Sequence, residues 1–210
     1  MISVSDLSVF LFATLMLNLT PGVDMIYVAT RSTSQGITAG VISALGISAG
    51  CLVHTLAAVL GLSAIIAQSA SAFTIIKYFG AAYLFYLGVK ILLTKKKTSA
   101  PLLHRDKAGL LTVFKQGLIT NVLNPKVALF FLAFLPQFVS AGSPNFGWQI
   151  LFLGILFNIS GTTVNIIVAV LFGKLGNKLS SNSKFQRVQE KLTAAILIAL
   201  GIRIALLSKK

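Results

Sequence analysis

Asn121-Val122-Leu123-Asn124-Pro125-Lys126 interrupts an apolar run long enough to cross a bilayer. The stretch carries two carboxamides, a proline and an amine. Proline removes a helix hydrogen bond and clashes with the preceding turn, and a lysine at bilayer depth costs roughly 3 kcal/mol on insertion scales. Such a segment is tolerated in hydrocarbon where it is buried in protein or lines a wet cavity. About a hundred residues earlier, Asn18-Leu19-Thr20-Pro21-Gly22-Val23-Asp24 interrupts a second apolar run. Broken helices in corresponding positions of two halves point to a binding site between those halves.

The composition agrees with a bilayer setting. Of 210 residues, 56% are hydrophobic and 10% charged, with a mean hydropathy of +0.89; average soluble proteins are nearer a quarter charged. A net charge of +14 would suggest nucleic acid in a soluble chain. Here the basic residues fall mostly between apolar spans, which implies contact with anionic lipid head groups and no nucleic-acid partner. Cys51 is the single cysteine, so an intrachain disulfide and paired-cysteine redox chemistry are excluded. Met1 to Phe10 holds Asp6 and no basic residue, unlike a cleavable signal, so the first span is expected to remain in place.

Six apolar stretches of roughly 17–30 residues can be drawn, against about 20 needed to span. The first covers about Leu7 to Thr30, with Ser5 or Asp6 available as its N-cap. The second covers about Thr38 to Ala67. Its small residues Gly36, Gly40 and Ala44, Gly46 and Gly50, and Ala57 and Gly61 fall four apart, a spacing that lets helices approach closely in lipid and could also join two copies of the chain. The third covers about Phe73 to Leu93 and the fourth about Leu111 to Val139, ending Pro136-Gln137-Phe138. The fifth starts near Trp148, an expected interfacial aromatic, and runs to about Phe172. The sixth covers Leu192 to Leu207.

The stretches after spans one, three and five hold twelve Lys/Arg residues, namely Arg31, then six from Lys95 to Lys115, then five from Lys174 to Lys191. The opposite side holds Lys77, Lys209 and Lys210. The positive-inside rule therefore places the large basic loops in the cytoplasm and both termini outward. Pro21 lies ten residues before Arg31, and Pro125 ten residues after Lys115. Each is then roughly 15 Å from the cytoplasmic boundary, near the middle of the hydrocarbon. The expected fold is an all-α integral membrane protein, a single domain of six transmembrane helices. Two inverted three-helix repeats, 1–94 and 111–210, flank a basic linker, 95–110, with spans one and four broken at Pro21 and Pro125.

Asp24 is the one acid deep in an apolar span. It reads either as a proton carrier and counter-charge for a substrate ammonium, or as a local feature: Thr20 capping a new half-helix, Pro21 at its first position and Asp24 at its positive end. Lys126 either pairs with Asp24 across the halves, where a zwitterion could exchange with both, or interacts with carbonyls freed at the break. Asn18, Asn121 and Asn124 flank the breaks and can replace water around a substrate or the backbone. Gly22 follows the first proline. Asn158 and Asn165 are seven apart, hence on one face of span five, as a cavity wall or as polar glue. His54 reads as a proton relay or a satisfied packing partner. Gly46-Ile47-Ser48-Ala49-Gly50 fits a hydrolase nucleophile pattern, but it falls mid-helix where that chemistry needs a strand-to-helix elbow. No His, Cys or acid cluster has metal-ligand spacing, and no cofactor is expected.

These motifs resemble the LysE/RhtB-type amino-acid exporter family. The resemblance is carried by Leu19-Thr20-Pro21-Gly22 with Asp24, by Lys77 with Gly80-Ala81-Ala82-Tyr83-Leu84 and Gly88, and by Asn121 to Lys126 followed by Pro136-Gln137-Phe138. It implies a small six-span protein of the bacterial inner membrane that exports amino acids. Val23 stands where many members have a second proline, and Asn165 where some carry an acid. The leading expectation is a secondary exporter of small amino acids, with proton antiport as its energy source and alternating access between the halves. A channel is the second class; a membrane enzyme or electron carrier working through cysteine pairs is third and is ruled out by the single cysteine, and a metal-ion exporter is fourth, disfavoured by two histidines and no acidic loop. A membrane enzyme is not expected.

Overall fold

The computed structural model describes residues 3–68, 108–139 and 143–181, together with 75, 78, 82, 85, 86, 89, 93, 191, 194, 195, 198, 199 and 202. Most of the expected spans three and six lies outside the described residues, as do the linker 95–107, Lys77 and most of the Gly80–Leu84 motif.

Helix α1 (Val4–Leu19) begins three residues before the expected Leu7, because Ser3 caps it: the Ser3 hydroxyl accepts from the Asp6 amide at 3.0 Å and donates to the Asp6 carboxylate at 2.6 Å. Helix α2 (Val23–Gln35) follows after a 50° bend. Asp24 sits in the first turn of α2 as the local reading expects, but the rest of that reading is corrected. Gly22 is the N-cap, Pro21 stays outside the helix, and the Thr20 hydroxyl turns back to the Met16 carbonyl at 2.9 Å rather than capping α2. The stretch after Arg31 is also no loop. Helix α2 runs to Gln35 and passes into α3 (Ile37–Gln68) through Gly36 alone, whose φ of 89° favours glycine.

Helix α4 (Leu110–Val122) and α5 (Pro125–Leu129) form the second broken pair, bent by 45°. Pro125 occupies the first turn of α5, where its missing N–H would be unpaired in any case, and the Asn124 side chain caps that turn by accepting from the Lys126 amide at 3.0 Å. The chain continues as a π turn (Phe130–Phe134) and a 3₁₀ turn (Leu135–Phe138). Helix α6 (Phe146–Ser181) extends past Phe172 into the second basic stretch, taking in Lys174 and Lys178. Among the described residues, two helices are long and apolar enough to cross a membrane, or four spans if each bent pair counts as one.

Helix α3 packs against α2, α4 and α6. Its glycines are what bring α4 close. A Cβ on Gly46 would lie 2.2 Å from the Phe114 carbonyl oxygen, one on Gly50 would lie 2.7 Å from that of Leu118, and one on Gly117 would lie 2.7 Å from that of Ser43. Small residues at this seam let backbones touch where lipid offers no hydrophobic drive. Gly40, Gly46 and Gly50 of the small-residue set are thus used within the chain, whereas a Cβ on Gly36 or Gly61 would meet nothing within 4 Å among the described residues. Two apolar clusters form the interior. One is aromatic, with Phe10, Phe130, Phe131, Phe134, Phe138 and Phe157; the Phe130 and Phe157 rings stack at 4.4 Å. The other joins Met25, Val28, Ala44, Ile47, Val164 and Val168. Outward-facing Phe12, Leu56, Leu60, Ile119, Phe152 and Ile159 leave an apolar exterior, suited to lipid.

Candidate functional site

Each proline deprives one carbonyl of its i+4 donor: Leu17 in α1 and Asn121 in α4. The two breaks answer this in the same way. The Leu17 oxygen accepts from the Thr20 amide at 3.1 Å, and the Asn121 oxygen from the Asn124 amide at 2.9 Å. Each then takes a side-chain nitrogen from elsewhere in the chain. Lys126 Nζ donates to the oxygens of Leu17 at 3.2 Å and Thr20 at 3.1 Å. His54 Nε2 lies 3.0 Å from the Asn121 oxygen. A carbonyl only accepts, so this bond requires the proton on Nε2. His54 also stacks on Phe131 at 5.9 Å, so the described geometry is that of a satisfied packing partner.

The amine of the second break therefore holds the open end of α1, whose last carbonyls carry partial negative charge. Gly22 makes room for it, since a Cβ there would meet Lys126 Nζ at 3.2 Å. The first break reciprocates through its acid. Asp24 Oδ2 accepts from Asn121 Nδ2 at 2.8 Å and Asn124 Nδ2 at 2.9 Å. Asp24 and Lys126 line the same cavity, yet no ion pair joins them among the described residues; each is held by polar groups of the opposite break. Asp24 Oδ1 and Asn121 Oδ1 are buried and have no hydrogen-bond partner among the described residues. Such orphaned acceptors are uncommon in native interiors and ask for a donor.

The cavity between the breaks measures about 30 Å³, room for a water molecule or two and not for an amino acid. Asn18, Asp24, Asn121, Lys126, Asn158, Thr162 and Asn165 are its polar lining residues. Asn18 Nδ2 reaches the Phe157 oxygen at 3.4 Å and Ser160 Oγ at 3.3 Å, and Asn158 Oδ1 accepts from the Thr162 hydroxyl at 3.3 Å. Met25, Ile47, Cys51, Val127 and Phe157 complete the lining with apolar surface. Thr20, Pro21, Gly22, Asn124, Pro125 and His54 surround the cavity without lining it. The apolar wall and the Thr162 contribution were missed in the sequence, although Gly161 and Thr162 share the helix face that Asn158 and Asn165 mark.

Two bent helix pairs thus support one another around a cavity, under an apolar exterior. The chain belongs to the family described as LysE type translocator, which matches residues 15–208, and it is a multi-pass membrane protein. It is 34% identical over 199 residues to the uncharacterized membrane protein YrhP of Bacillus subtilis (strain 168), covering 91% of this chain and 94% of that one. It is 26% identical over 205 residues to the leucine efflux protein of Salmonella typhimurium (strain LT2), covering 94% and 93%. No solved structure matches.

Proposed function

We propose that this chain is a secondary exporter of neutral, apolar amino acids, working by proton antiport with alternating access. The observation that carries the reading is the buried, unpartnered Oδ1 of Asp24 beside Lys126 in a cavity framed by both breaks. A substrate ammonium donates to Asp24 Oδ1. The substrate carboxylate accepts from Lys126, whose other N–H groups remain on the carbonyls of Leu17 and Thr20. The side chain faces Met25, Ile47, Cys51, Val127 and Phe157. A wall without charge favours an aliphatic side chain over a cationic one, in keeping with the relative named for leucine efflux.

Asp24 alternates between the substrate ammonium and a proton, which couples outward amino-acid movement to inward proton movement. Both breaks lie at mid-membrane, at the interface of two inverted three-helix repeats in a bacterial inner membrane, with the large basic loops cytoplasmic and the termini outward. The aromatic cluster reaches the cavity through Cys51, Val127 and Phe157, and the second cluster through Met25 and Ile47. Rocking one repeat against the other opens them in turn.

The test is growth on toxic leucine analogues or leucine-containing dipeptides, with an overproducing strain compared with one lacking the gene. Overproduction should confer resistance and lower intracellular leucine. In vesicles, counterflow with saturation and trans-stimulation is expected. Flux that neither saturates nor responds to trans leucine would make the protein a channel.

A further inference from the structure

Arg31 is 9% exposed and has no carboxylate partner among the described residues. Its Nη2 donates to Gln116 Oε1, and its guanidinium carbon lies 5.5 Å from the centre of the Tyr27 ring. Tyr27 is held in turn, its hydroxyl donating to the Val113 oxygen at 2.8 Å. A guanidinium has five donors in a planar fork, and a single neutral acceptor leaves most of that fork unused. A buried cation without a counter-charge is costly, so a structural tie between α2 and α4 would be served better by a neutral side chain. The fork matches a carboxylate in two-point contact.

The position fits a route. Arg31 is seven residues beyond Asp24, on the same face of α2, and that face meets α4 throughout, at Asn121 for Asp24 and at Gln116 for Arg31. The separation is about 10 Å along the helix, too far for one amino acid to touch both. Gln116 is exposed, as is its chain neighbour Lys115, so the cluster opens to the surface towards the end of α2. We propose that Arg31 is a second substrate-binding residue at the cytoplasmic mouth. There it takes the α-carboxylate of an incoming amino acid in place of Gln116, before that carboxylate passes to Lys126. This rests on the exporter reading of the central cavity and adds to it a requirement for a free carboxylate at entry.

The test uses the purified full chain in phosphatidylcholine vesicles, with and without phosphatidylglycerol. Leucine uptake is measured with leucinamide, which keeps the amine and lacks the carboxylate, as competitor. Arg31→Gln should raise the KM for leucine about tenfold, the scale of a lost charge-assisted contact, with maximal rate within about twofold. The inhibition constant of leucinamide should stay unchanged, and Arg31→Lys should recover part of the loss. Equal weakening of leucine and leucinamide, or no change in either, overturns the proposal. An effect confined to vesicles containing phosphatidylglycerol also overturns it, by assigning Arg31 to a lipid phosphate. A wild-type protein that moves no leucine and is not inhibited by leucinamide overturns both readings. One that moves leucine while the variant fails these expectations overturns this one alone.

Discussion

Asp24 and Lys126 share a cavity but answer to different partners, and this decides how their variants behave. Exchanging them as Asp24→Lys with Lys126→Asp would set an ammonium against the amide nitrogens of Asn121 and Asn124, and a carboxylate against the oxygens of Leu17 and Thr20. The double variant is therefore expected to recover no counterflow over the single ones; recovery well above either would mean that the two charges pair directly during transport. Lys126→Met leaves the two carbonyls without a side-chain donor, at an expected cost of about 1–3 kcal/mol, read as a lower thermal midpoint of the purified protein. Lys126→Arg, which keeps N–H donors, should lose less. Asp24→Asn retains an acceptor for the two carboxamides and loses the titrating group. It should still fold, yet leucine movement should no longer respond to an imposed pH gradient.

Among the elements, the seam between α3 and α4 has the least slack. Gly46 faces backbone, the Phe114 carbonyl, and backbone cannot move aside as the end of a flexible side chain can. Gly46→Ala is expected to destabilise by about 1–3 kcal/mol. Gly61→Ala, with nothing within 4 Å of the added Cβ among the described residues, should be neutral or stabilising by up to about 1 kcal/mol, since alanine is the better helix former. Thermal midpoints of the two variants check the contrast, and equal shifts would count against close backbone contact at Gly46. The four-residue spacing of glycines made such a seam legible but did not say which helix filled it. Gly46 and Gly61 look alike in the sequence and differ in the fold.

For the whole molecule, a cavity of about 30 Å³ cannot hold leucine, so the described arrangement is one that must open to work. Cys51, 2% exposed and on the apolar wall, reports this without added cysteines, because it is the single cysteine of the chain. A small methanethiosulfonate should label it slowly, abolish uptake once attached, and label more slowly in saturating leucine. Cys51→Ser should transport and resist the reagent. Labelling that leaves uptake intact would remove the cavity from the transport path.

Membrane residence and the two interruptions were legible in the residues themselves, because the bilayer cost of polar backbone and charge is local and shows as proline, asparagine and lysine inside apolar runs. The face shared by Asn158 and Asn165 was legible for a similar reason, helical periodicity. Cap positions were less so. Ser3, Ser5 and Asp6 are all competent to start α1, and Thr20 could have turned forward as readily as back. What only the tertiary structure decided is the exchange of partners between the breaks. Pro21 and Pro125 each free a carbonyl wherever the chain goes, but which nitrogen arrives depends on the packing of α1 and α2 against α4, α5 and α3. Lys126 went to the end of α1 and His54 to the end of α4, and Asp24 was left with one oxygen unclaimed among the described residues.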